Sequence, residues 1–170
     1  NPTSITSVDV GGEPTSVAIH NGYAIAAINT SESFTNPSGY VAVIDLWDYQ
    51  VVKEIVLAGQ PDAVAISPNG KFAAVAIENE RDEDLNDGLI PQYPAGNVAI
   101  INLEGEVTYA DVSGLAGIAP SDPEPEFVDI NDKGEIVVTL QENNHLVVLD
   151  SSGNVISHFS AGKVDLYDID

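Results

Sequence analysis

Apolar residues along this chain come in short runs, each cut off by Gly, Asn, Asp or Pro, and the runs recur in trios. SVAI, YAIAAI and YVAVIDL form the first trio, AVAI, FAAVAI and VAIINL the second, and FVDI, EIVVTL and HLVVLD the third. Their length and β-branched content predict strands. In each trio the first two runs are separated by a tight turn at Asn21-Gly22, Asn69-Gly70 or Lys133-Gly134, a hairpin signal. A second turn, at Trp47-Asp48, Glu104-Gly105 or Ser152-Gly153, leads to a fourth strand. Pro14, Pro61 and Pro125 stand at equivalent entries, so the chain is a threefold repeat over about 13–57, 58–112 and 121–162.

The second and third runs of each trio are apolar with almost no alternation. A strand of that kind is covered on both faces, which a sheet achieves when it is stacked between neighbours. Ala18, Ala65, Ala74 and Ala76 let such sheets approach closely. The predicted fold is therefore all-β: residues 1–170 form part of a β-propeller, about three four-stranded antiparallel blades. A Greek-key sandwich would alternate more cleanly and would not repeat. Propellers close with about four to eight blades. The ring is thus expected to be completed by more of the same precursor or by another chain, with Lys163 to Asp170 leading into a further blade.

The three repeats differ in length through one loop, between the second and third strands of each blade. These loops run from Asn29 to Gly39, Glu78 to Gly96 and Gln141 to Asn144. In a propeller they share one end with the connections between blades, which carry Glu13, Asp62, Glu124 and Glu126. The longest opens with ENERDEDLNDG, six carboxylates in eleven residues together with the one arginine of the chain. Oxygen ligands at alternate positions, as in Asp82-x-Asp84-x-Asn86, suit a hard cation such as calcium, although an EF-hand would need glycine at Asp87 and a carboxylate at Tyr93. The expected metal ligands are Glu78, Glu80, Asp82, Asp84, Asn86, Asp87, Asp62, Glu126 and Glu142, with Ca2+ as the ion. Arg81 is expected to pair with a carboxylate of its own loop and pin it.

Charge sharpens this picture. Lys and Arg total 5 against 27 acids, a formal charge of −22. Phosphate backbones and anionic membrane surfaces are repelled, so divalent cations rather than nucleic acid are the expected partners. Solubility in salt would account equally for the total, though less well for the clustering. No apolar stretch is long enough to span a membrane, so no membrane insertion is expected. With no Cys there is no thiolate site. Starting at Asn1 without Met, the chain reads as a processed product of a secreted or periplasmic protein, and Asn29-Thr30-Ser31 is a glycosylation sequon.

VAISPNGKFAAVA resembles a surface-layer propeller repeat. NERDEDLNDG, GNVAIINL and EPEFVDIN with VVTLQENNHLVVLD resemble more specifically the choice-of-anchor I propellers, related to the mesenchyme-specific cell surface glycoproteins. Bacterial members carry alkaline phosphatase or esterase-like phytase labels. The resemblance, from about Gly11 to Asp170, implies a larger propeller, secretion and calcium, and carries over no catalytic residue.

Direct signs of catalysis are sparse. There is no G-x-S-x-G and no paired-histidine zinc spacing. His20, at the end away from the acids, reads as a surface residue and His158 as structural, and His145, within reach of Glu142, is the histidine to consider for chemistry. The function expected is a secreted calcium-binding propeller module acting at a cell surface, matrix or mineral. The alternative is a calcium-dependent phosphoester hydrolase, in which metal would do nearly all the electrostatic work.

Overall fold

The computed structural model describes residues 3–163, so the expected lead into a further blade lies almost wholly outside the described residues. Three antiparallel sheets of four strands follow one another along the chain. Blade 1 consists of β1 (Glu13–His20), β2 (Tyr23–Asn29), β3 (Gly39–Asp45) and β4 (Val51–Leu57). Blade 2 consists of β5 (Pro61–Ile66), β6 (Phe72–Ile77), β7 (Asn97–Asn102) and β8 (Val107–Ala110). Blade 3 consists of β9 (Pro125–Ile130), β10 (Ile136–Leu140), β11 (His145–Leu149) and β12 (Val155–Ser160). Each strand pairs with its sequence neighbour, the up-and-down order of a propeller blade.

The turn chemistry explains the hairpins. Asn21 and Gly22 both adopt positive φ, the primed turn whose twist matches a hairpin. The first strand of each blade starts irregularly. Register slips fall between Pro14 and Ser16, between Pro61 and Val64, and opposite Thr139 and Leu140, where Pro125 enters. Proline is tolerated at a strand's first residues or at a bulge, because it has no N–H to give to the ladder.

The blades stack face to face. One apolar cluster lies between blades 1 and 2 and includes Ala27, Val41, Leu57, Val75, Ile77 and Ala99. A second lies between blades 2 and 3, with Ala74, Ala76, Val98, Ile136, Leu140 and Val147. Most of these positions are on the second and third strands, the runs whose sequence lacks alternation. Ala27, Ala74, Ala76 and Ala99 are fully buried, which brings the sheets close. Each wholly buried Ile, Leu or Val contributes about 1.5–3 kcal/mol.

One interlock recurs between blades. A Cβ on Gly39 would sit 2.2 Å from Cδ of Pro61, and one on Gly96 would sit 2.5 Å from Cδ of Pro125. Gly39 starts β3 and Gly96 immediately precedes β7, and each proline opens the next blade. Their contact sets how tightly adjacent blades close. The equivalent residue in blade 3 is Asn144, which carries a side chain and positive φ. Gly96→Ala is expected to destabilise the chain by about 1–2 kcal/mol through overpacking, and Asn144→Ala by less, as urea denaturation would measure.

Up-and-down order also sorts the loops. The first and third turns of every blade lie at one end, and the loops after β2, β6 and β10 lie at the other end with the connections between blades.

Candidate functional site

The loop after β6 is held down by a buried guanidinium. Arg81 Nε donates to Asp122 Oδ2 at 3.1 Å and stands 3.0 Å from Glu124 Oε1, while its Nη atoms reach Asp122 Oδ1 and the carbonyls of Asn79 and Pro94. The side chains of Asp122 and Glu124 are 0% and 4% exposed, so this is an interior charge cluster. Asp122 Oδ2 also accepts the Gln92 N–H at 2.7 Å, and the Gln92 amide exchanges hydrogen bonds with the Asp82 backbone. Arg81 therefore pins its loop, but not to the loop's own carboxylates as the sequence suggested. Its partners lie 41 and 43 residues on, in the connection between blades 2 and 3. Nothing local in SDPEPE marks Asp122 as that partner, because the pairing depends on how two blades stack.

Two buried amides tie the same end together. Asn79 Oδ1 accepts the N–H of Gln60 at 2.9 Å, and Asn143 Oδ1 accepts the N–H of Glu124 at 2.9 Å. In each case the loop after a second strand grips the residue before the proline that opens a first strand. Asn143 also donates to the carbonyls of Ile118 and Asp122.

Around this frame the acids face one another. Glu78 is pushed up to about 8 by burial first, then by repulsion from Asp62, Glu126, Glu124 and Glu80. Burial raises Glu124 to about 7 against the opposing pull of Arg81, with Glu142 and Asp122 adding repulsion. Asp62 and Glu126 are raised by burial and then by Glu80, and by Asp62 and Glu142, respectively. Carboxyls from the loops after β6 and β10, from the starts of β5 and β9 and from the connection before β9 thus lie within electrostatic reach of one another at this end, the expected ligands Glu78, Glu80, Asp62, Glu126 and Glu142 among them. Glu124, which the sequence reading left out of the ligand set, is among them and is paired with Arg81.

The other expected ligands sit apart. Asp82 is half-buried, whereas Asp84, Asn86 and Asp87 are exposed on the outer part of the loop. Asp82 Oδ1 accepts the N–H of Asp84 at 2.9 Å, and Asn86 to Gly88 form a short turn with Asn86 and Asp87 at positive φ. Alternation in sequence does not wrap these side chains around a point. Among the described residues no three His, Cys, Asp or Glu side chains are grouped so as to hold one metal ion.

The histidines lie outside the mouth. His145 Nε2 meets His158 Nδ1 at 3.0 Å on the neighbouring strand, not Glu142, and burial with His158 holds His145 below the usual range. His20 packs against Gly70 at the opposite end. A cleft of about 700 Å3 opens there between blades 1 and 2, lined by Ile25, Val43, Ile55, Phe72 and Lys53, with no carboxylate in its wall.

Comparison with known proteins bears on the fold and family. Hydrazine synthase of Kuenenia stuttgartiensis aligns at a TM-score of 0.58 and 19% identity, covering 80% of this chain and 39% of that one. Virginiamycin B lyase of Staphylococcus aureus aligns at 0.62 and 13%, covering 91% and 43%. The Dos1 propeller aligns at 0.58 and 14%, covering 85% and 32%. The chain thus spans less than half the length of these structures, and at such identity the likeness shows the fold alone. No curated protein matches the sequence. Residues 1–116, most of the repeat just described, match the Choice-of-anchor I domain, and the chain belongs to that family.

Proposed function

We propose that this propeller portion is a secreted or periplasmic binding module whose acidic mouth takes divalent cations, calcium first, to engage a cell surface, matrix or mineral. The observation that supports it is the set of mutually repelling, partly buried carboxyls at one mouth, two of which hold their protons to about 7 and 8. Burial raises these groups first and mutual repulsion second, and a doubly charged ion would relieve the second part in exchange for their protons. Their oxygens are the hard donors that calcium prefers. They do not close a shell of their own, so the ion would keep water and bind weakly, in the millimolar to submillimolar range of extracellular modules.

Calcium chloride is expected to raise the melting temperature by about 4 °C over sodium chloride at matched ionic strength. Calorimetry near pH 7 should show protons released on binding. Equal effects of the two salts, or no proton release, would leave the acids as a solubility device. Glu78→Gln and Asp62→Asn should weaken the calcium effect more than Asp84→Asn.

Calcium-dependent phosphoester hydrolysis is the second reading. It is favoured by Glu78, which at neutral pH still carries a proton that a leaving alkoxide would need. Arg81 is committed to Asp122 and Glu124, so phosphate would have to be held by metal. Turnover of a phosphomonoester by the whole protein, lost with chelator and on Glu78→Gln, would favour this reading.

A further inference from the structure

The interface between blades 1 and 2 and the interface between blades 2 and 3 are built alike, yet they close differently at the end away from the acids. Ala73 on β6 is flanked by Ile66 and Ile101, and Ile136 on β10 by Ile130 and Leu149. Ala73 and Ile136 therefore hold the same place in successive blades. Between blades 2 and 3 this level is filled. Ile130, Ile136 and Leu149 are buried, and so are Ala74 and Ile100 on the facing sheet. The turn at Gly153 seals the end, since a Cβ there would meet Cβ of Ala110 at 3.1 Å and Cδ1 of Ile100 at 3.3 Å.

Between blades 1 and 2 the same level stays open. Ile66 and Ala73 are only half-buried, as are Ile25, Val43 and Ile55 across from them. These side chains line the cleft of about 700 Å3, a size within the range of about 300–1,000 Å3 usual for small-molecule sites. Both of its walls are four-stranded sheets of this chain. The turn at Gly105, equivalent to that at Gly153, meets the Lys53 side chain instead of an apolar floor. Lys53 Nζ donates to the Glu104 carbonyl at 2.6 Å, which holds the ammonium at the rim and uses one of its three N–H donors.

Charge completes the picture. Among the described residues no carboxylate lines this cleft, in a chain with 27 acids and 5 bases. Its other polar side chains are His20, Asn21, Tyr23, Asn69 and Asn102. An anion that is repelled over most of the surface meets here a cation beside a half-buried apolar wall. We propose that the cleft binds a small organic anion, its apolar body lying between blades 1 and 2 and its carboxylate on the ammonium of Lys53. Burial of the apolar body supplies most of the affinity, and the ion pair sets orientation and selects against acceptors without charge.

Ligand-observed NMR titration of the whole protein tests this with decanoate and with 2-naphthoate, an acyl and an aromatic carboxylate. At least one should bind at about millimolar concentration or below. Lys53→Gln should weaken that binding about three- to fivefold, the worth of an exposed ion pair, and Lys53→Arg should retain most of it. Ala73→Ile installs the side chain that blade 3 carries at the same place. It should fill the cleft and weaken binding at least about tenfold, with the melting temperature unchanged or raised. No binding of either carboxylate up to about 5 mM would overturn the proposal. Binding that is untouched by Lys53→Gln, or that persists in Ala73→Ile, would overturn it as well.

Discussion

Replacing Arg81 by methionine is expected to cost about 3–5 kcal/mol of unfolding free energy, or about 10 °C in melting temperature for a chain of this size. The guanidinium is the positive centre of a buried cluster, and its removal strands Asp122 and Glu124 away from water. Asp122 would keep only the Gln92 N–H on Oδ2. Much of the loss is the penalty of the orphaned charges, so Arg81→Met with Asp122→Asn should recover part of it. Arg81→Lys should fall between, since an ammonium cannot reach both carboxylates and two carbonyls with one planar fork. The deficit should be larger at pH 8 than at pH 5, where Glu124, raised to about 7, is already neutral. Urea denaturation at the two pH values measures it. A deficit under 1 kcal/mol would mean that the cluster is more hydrated than its burial indicates. Because the cluster joins the loop after β6 to the connection before β9, protease sensitivity near Asp84 should rise in the variant.

Without divalent ions, the chain is expected to lose about 3 kcal/mol of stability between pH 5 and pH 9, counting Glu78 and Glu124 and discounting partly exposed groups for solvent screening. In the unfolded chain these carboxyls titrate near 4–4.5. In the fold Glu78 holds its proton to about 8 and Glu124 to about 7. Between those limits the folded state binds more protons, so stability is greatest near pH 5, falls as pH rises through the folded values, and levels off above them. Asp111 and Asp150, held low chiefly by hydrogen bonds from Ser113 and Asn154, act in the opposite sense only below the window. His145 also acts in the opposite sense, below its ordinary range. Glu78→Gln should flatten the fall, matching the parent at pH 5 and exceeding it by about 1–2 kcal/mol at pH 9 after the same discount. Bound calcium should flatten it too. A rising profile over this interval would show that the carboxyls are not pressed together in solution.

The repeat was legible because propeller strands are buried on both faces. FAAVAI and VAIINL could not be satisfied by a sheet with a wet side, and the turn pairs marked where each hairpin folds. Up-and-down topology by itself puts Asp62, Glu78, Glu126 and Glu142 at one end. The loop motif says less about geometry. Asp82-x-Asp84-x-Asn86 looks like a ligand ladder, yet the Asp82 carboxylate caps a backbone N–H of its own loop. Short acidic side chains close on the local backbone at little entropic cost.

What the sequence determined by itself was the unit: four short strands, their order, and the end at which the acids gather, all from local periodicity and turn chemistry. Tertiary structure alone decided which charges meet. The pairing of Arg81 with Asp122 and Glu124, and the repulsion that raises Glu78, depend on how far apart two stacked blades lie. That distance is set by Gly96 against Pro125 and by the alanines between sheets, contacts between residues remote in the chain that no local pattern encodes.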